Sequence, residues 1–139
     1  MKNNKCDACN GQDMEKFADD SMKKYGWYCH FVMLDDNHIN AHTHGIYETY
    51  GHSDFQVVLP IDPNIIHHLF TDLVENIKKG EFYNYKKRYA EVIKNYDVTF
   101  IMRKEGCRTV KRMIFPDAKG NLERDELSCP YNHQYDMLE

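Results

Sequence analysis

Asp62-Pro63 opens a segment whose apolar residues recur on one helical face: Ile65, Ile66, Leu69, Phe70, Leu73, Val74 and Ile77, with Gly80 closing it. Asp62 offers a side-chain acceptor to the first free amides, and Pro63 stands where no amide donor is needed. A stripe this wide has to be buried against another apolar surface. The segments on either side supply one, because they read as strands.

Trp27–Leu34 is rich in aromatic and branched residues, and Asp35-Asp36-Asn37-His38 is a turn that sends the chain back along Ile39–Ile46. Phe55–Pro60 is a third strand, after a loop or short helical turn over Tyr47–Ser53 punctuated by Gly51. Val98–Lys104 and Arg108–Phe115 alternate like a hairpin, with Glu105-Gly106 as its turn. Two further helices are expected. One is capped by Asp13 and ends near Tyr25 and Gly26; the other covers roughly 84–96, where Tyr85, Tyr89, Val92, Ile93 and Tyr96 have helical spacing. About five strands, mostly in hairpins, and about three helices make an α+β domain around a mostly antiparallel sheet. At 139 residues the chain is expected to be one domain, with polar tails at 1–12 and 117–139.

A net charge of −4 gives no pull toward nucleic acid or anionic membrane, so neither is an expected partner. The aromatic and basic run Tyr83–Tyr89 is accordingly read as a solvated helix face. The N-terminus lacks the apolar run of a signal peptide, and no apolar run is long enough to span a bilayer. Five cysteines, an odd number, suit free thiols or metal ligation in a reducing compartment, and a cytoplasmic location is expected. An exposed edge strand in a small sheet offers a route to a homodimer.

The stretch Asn40–Asp54 holds three of the eight histidines and is the best candidate for a site. If 39–46 is a strand, His42 and His44 share a face with Asn40. With His52 or Glu48 returning over the strand end, they could hold a divalent metal at three points and leave a water position open, the ligand count of a catalytic zinc site. The alternative is a polar strand face whose histidines make ordinary hydrogen bonds. Glu48 and His52 lie four apart, so a helical turn would bring carboxylate to imidazole, raise the histidine pKa and orient the ring for acid–base work.

These residues also carry a resemblance. Thr43, Gly45, Ile46, Glu48, Gly51, His52, Ser53 and Asp54, followed by an apolar strand, resemble the central motif of a bacterial domain-of-unknown-function family, the one numbered 4262. Gly80-Glu81-Phe82 is similar to that family's helix-ending turn, and Phe115-Pro116-Asp117-Ala118-Lys119-Gly120 to its aromatic-Pro-Asp-x-x-Gly segment. The resemblance runs from about Asp13 to the tail. It implies bacterial origin and a shared fold, but no established activity. Ser53 replaces the family's usual Pro, and His42 and His44 stand where it has aromatic or aliphatic residues, so a metal role for them rests on this chain alone. Thr43, Gly45, Glu48, Gly51 and His52 are the family-like set, and are the candidate ligand-binding residues of a polar pocket.

The cysteines suggest a separate, structural zinc. Cys6-x2-Cys9 is one half of a common pattern, and Cys129-x3-His133 is a candidate for the other, stapling the two tails together. Cys29 is expected in the core and Cys107 in a turn; His67 and His68 are expected at the boundary of the amphipathic helix and in solvent. Two functional readings therefore stand: a small-ligand or protein-binding module with its pocket at 43–52, and a metal-dependent hydrolase using His42, His44 and His52 with Glu48 as general base.

Overall fold

A computed structural model describes residues 12–34 and 38–138, with side chains from residue 19 onward. Residues 35–37 of the expected 35–38 turn and the Cys6/Cys9 pair lie outside the described residues. The elements in chain order are α1 (Gln12–Tyr25), β1 (Tyr28–Met33), β2 (Ile39–His44), α2 (Ile46–Tyr50), β3 (Phe55–Leu59), α3 (Pro63–Lys78), β4 (Tyr89–Ile93), β5 (Tyr96–Glu105), β6 (Arg108–Ile114) and a 3-10 helix (Tyr131–Tyr135). α1 begins at Gln12, so Asp13 lies within its first turn instead of capping it. α3 begins as the sequence dictates: the Asp62 carboxylate accepts from Asn64 N–H at 2.8 Å, and Pro63 follows.

The six strands form one sheet in the order β1-β2-β3-β6-β5-β4. Two antiparallel meanders, β1-β2-β3 and β4-β5-β6, are joined through a parallel contact in which Phe55 faces Lys111 and Gln56 faces Arg112. The class is α+β as expected, with a mixed sheet and one more strand than the sequence suggested.

That extra strand corrects the helix expected at 84–96. Tyr89–Ile93 pairs with β5 instead, and Asn95, in the left-handed region at φ 73°, helps turn the chain so that Ile93 faces Tyr96. Tyr89 packs on the core at ring distances of 5.1 Å from Tyr83 and 5.7 Å from Phe100. Aromatic and β-branched residues spaced three and four apart satisfy either period, and pairing with β5 decides between them. The last hairpin turns on Gly106-Cys107, one residue beyond expectation, because Glu105 pairs with Arg108.

The two faces of the sheet differ sharply. On one, Ala41, Phe55, Val57, Val98, Phe100 and Met113 pack with Ile66, Phe70, Leu73 and Val74 of α3 in a continuous apolar core. Cys29 joins it as expected, and burial pushes its thiol pKa up. The other face, one residue out of phase, carries His30, Asn40, His42, His44, Gln56, Arg112, Arg103 and Glu105. The C-terminal segment covers part of this polar face. Leu122 and Leu127 bury against Ile114, and Arg112 Nη1 donates to the carbonyls of Gln134 at 2.7 Å and Met137 at 2.8 Å. The Gln134 amide exchanges two hydrogen bonds with the Phe115 backbone, accepting at 2.7 Å and donating at 2.9 Å. Residues 117–138 are therefore a second layer of the domain, not a loose tail. No helix among the described residues is long and apolar enough to cross a membrane.

Candidate functional site

β2 presents His42 and His44 from one face, as their two-residue spacing requires, and both are buried. The β2–β3 pairing ends at His42 facing Gln56, so His44 extends past it. Glu105, the last residue of β5, stands on the same face of the sheet as His42 and His44. One donor atom each from His42, His44 and Glu105 lies within 4.8 Å of the other two. The rings of His42 and His44 meet edge-on at 4.9 Å; His30 approaches His42 at 5.2 Å, and Tyr28 stacks on His44 at 5.0 Å.

Neighbouring polar groups hold this cluster in place. Arg112 Nε donates to Gln56 Oε1 at 2.7 Å, Gln56 Nε2 donates to Asn40 Oδ1 at 3.0 Å, and that oxygen lies 3.4 Å from His42 Nδ1. A proton on Nδ1 pointed at Asn40 leaves the lone pair on Nε2, the tautomer a metal ligand needs. Arg108 bridges two carboxylates, with Nε 2.9 Å from Glu105 Oε1 and Nη1 3.3 Å from Asp54 Oδ2. The Glu105 side chain keeps only 10% of its surface exposed. From sequence, Glu105 reads as a turn residue. Nothing local marks it, since its role depends on the parallel β3–β6 junction.

Thr43, Gly45 and Asp54 form a corner beside this cluster. The Thr43 side chain faces away from His42 and His44; its hydroxyl donates to Asp54 Oδ1 at 2.8 Å and accepts from Phe55 N–H at 2.9 Å. Asp54 also accepts from Ile46 N–H at 3.0 Å and Tyr47 N–H at 3.5 Å, holding the start of α2. Burial raises the Asp54 pKa, opposed by Arg108, by the Thr43 and Ile46 hydrogen bonds and by His44. Gly45 sits at φ +99°, where a Cβ would lie 2.4 Å from Met22 Sδ and 2.7 Å from the Gly26 carbonyl. Gly51 ends α2 at φ +75°, and its amide donates to the Tyr47 carbonyl.

His52 does not converge with His42 and His44. It packs on the core side among Phe55, Phe82 and Tyr83, at ring distances of 5.1, 4.7 and 6.0 Å. Its Nδ1 lies 2.8 Å from the Ser53 carbonyl, and its Nε2 accepts the Tyr83 amide at 3.1 Å, which fixes the neutral Nδ1–H tautomer. Burial lowers its pKa, the Ser53 contact opposes this and the Lys111 charge adds to it, so the expected rise through a Glu48 partner is corrected. Glu48 is exposed on α2 and is not part of the three-residue cluster. Lys111, itself buried, donates to the Tyr83 carbonyl and lies 4.0 Å from the Phe82 ring centre.

The profile of a domain of unknown function, DUF4262, matches residues 21–115, more than half of the chain. The chain belongs to the DUF4262 family. The match takes in all six strands, the Thr43–Asp54 corner and the three cluster residues of this DUF4262 domain, and stops where the covering C-terminal segment begins. No curated protein and no solved structure matches the chain.

The other expected residues fall elsewhere. Cys129 is exposed and lies 3.9 Å, sulfur to Nε2, from His133. Cys107 is exposed in the β5–β6 turn, as expected. His67 and His68 are exposed on α3, and His67 stacks on Trp27 at 5.8 Å.

Proposed function

We propose that this DUF4262 domain binds a divalent transition-metal ion through His42, His44 and Glu105 and offers the ion's remaining positions to a small ligand. The approach of three donor atoms to within 4.8 Å carries this reading. A metal at about 2.0–2.2 Å from imidazole nitrogens and a carboxylate oxygen needs donors about 3.5 Å apart, which small side-chain rotations supply. Two nitrogens and one oxygen suit zinc or another first-row ion better than magnesium or calcium. Asn40 behind His42 and Arg108 behind Glu105 are the outer partners such ligands use.

Thr43, Gly45, Glu48, Gly51 and His52 enter the proposal as the frame around the site. The Thr43 hydroxyl and both His52 nitrogens are already engaged, so their part is to fix the end of β2 and the start of β3. The ligand position is the polar face beside His42. A hydrolase reading rests on the same three ligands, because three protein donors leave a position for an activated water.

Elemental analysis and calorimetric zinc titration of wild type, H42A/H44A and E105Q test the proposal. About one equivalent should be lost in H42A/H44A, and E105Q should weaken binding about tenfold or more. Equal zinc content and affinity in wild type and H42A/H44A would sink it. Turnover of ester, amide or phosphoester probes that depends on added zinc and disappears in E105Q would favour the hydrolase over the binding module.

A further inference from the structure

We propose a second, thiophilic metal site at the opposite end of β2, where Cys129 and His133 of the C-terminal segment chelate a zinc-like ion and His38 orients the imidazole. It uses none of the residues of the first site and does not rest on it. Cys129 Sγ and His133 Nε2 stand 3.9 Å apart. A tetrahedral zinc site, with Zn–S about 2.3 Å and Zn–N about 2.0–2.1 Å, sets those donors about 3.6 Å apart. Closing the difference takes only a small rotation of an exposed side chain.

The second nitrogen of His133 supplies an independent observation. His133 Nδ1 lies 3.2 Å from His38 Nε2, with ring centres 5.1 Å apart. When Nδ1–H donates to His38, the His133 lone pair is on Nε2, the nitrogen turned toward the thiol. A ligand histidine held through its other nitrogen is the usual outer-shell arrangement of metal sites. His38 is buried, and its carbonyl accepts the Leu34 amide at 2.8 Å, which ties the residue before β2 to the residue after β1. Cys129 is exposed, so an ion reaches the sulfur from solvent without opening the fold. One thiolate and one imidazole select zinc or a similar thiophilic cation over hard ions.

The ion would fasten the covering segment at its 3-10 helix, since both donors bracket the start of Tyr131–Tyr135 and His133 rests on His38. Both proposed donors, Cys129 and His133, lie outside the residues that match the family profile, whereas His38 lies within them.

Cobalt substitution of the reduced full-length protein reads the site directly, because only a thiolate ligand gives a near-ultraviolet sulfur-to-cobalt charge-transfer band. Wild type and H42A/H44A should both show the band. C129S should lose it and bind about one equivalent less cobalt, and H133A should weaken cobalt binding at that site about tenfold or more. A C6S/C9S double variant controls for the N-terminal thiols. Circular dichroism checks that each variant folds, which an exposed Cys-to-Ser change should not disturb. Absence of the band in wild type, or a band of full intensity in C129S, overturns the proposal.

Discussion

The hydroxyl of Thr43 donates to Asp54 at 2.8 Å while accepting the Phe55 amide at 2.9 Å, so one oxygen ties the end of β2 to the start of β3. Both residues are almost completely buried. Thr43→Val keeps the shape and removes the donor and acceptor together, leaving the Phe55 amide without this partner. A loss of about 1–3 kcal/mol is expected in urea unfolding. Stability within a few tenths of a kcal/mol of wild type would show that the bond carries little.

Gly45 and Gly51 both have positive φ, yet their surroundings differ. A Cβ at Gly45 meets Met22 Sδ at 2.4 Å and the Gly26 carbonyl at 2.7 Å, whereas at Gly51 nothing lies within 4 Å. Gly51→Ala should cost only left-handed backbone strain, about 1–2 kcal/mol. Gly45→Ala adds a clash with backbone and should cost about 2–5 kcal/mol. Equal thermal shifts in the two variants would contradict this account.

His52 gives the fold a pH dependence whose sign follows from its lowered pKa. At neutral pH its Nε2 accepts the Tyr83 amide, and a proton there would end that bond. The unfolded chain takes the proton near the ordinary value of 6.5, and the folded chain only at lower pH. The contribution is therefore complete above 6.5 and lost as pH falls through the folded pKa. Denaturant unfolding from pH 8 downward should show stability declining below about 6.5 in wild type. His52→Gln should flatten that segment of the curve, and an unchanged slope would assign it to other groups.

Asn40 makes no ligand bond in the proposed first site, but it stands behind His42 Nδ1 at 3.4 Å and is itself held by Gln56. Asn40→Ala should weaken zinc binding about 10–100-fold while leaving the far-ultraviolet circular dichroism unchanged. Calorimetric titration measures it, and wild-type affinity in this variant would remove Asn40 from the outer shell.

The sequence by itself determined the elements whose signals are local. Asp62, Pro63 and the stripe through Ile77 specify α3, because capping and a 3.6-residue period are properties of neighbours in the chain. The same holds for β1, β2 and β3, and for the shared face of His42 and His44, which follows from the two-residue period of a strand. Tyr85–Tyr96 was ambiguous at that level. Its spacing permits a helix, and pairing with β5 made Tyr89–Ile93 a strand. Only the tertiary structure brought Glu105 to the histidines, because residues more than sixty positions apart meet through a parallel β3–β6 contact that no local pattern encodes. It also separated His52 from them: its place depends on which side of the sheet α3 covers. The burial of Leu122, Leu127 and Gln134 was decided in the same way, since a segment reads as a polar tail until the surface it covers is known.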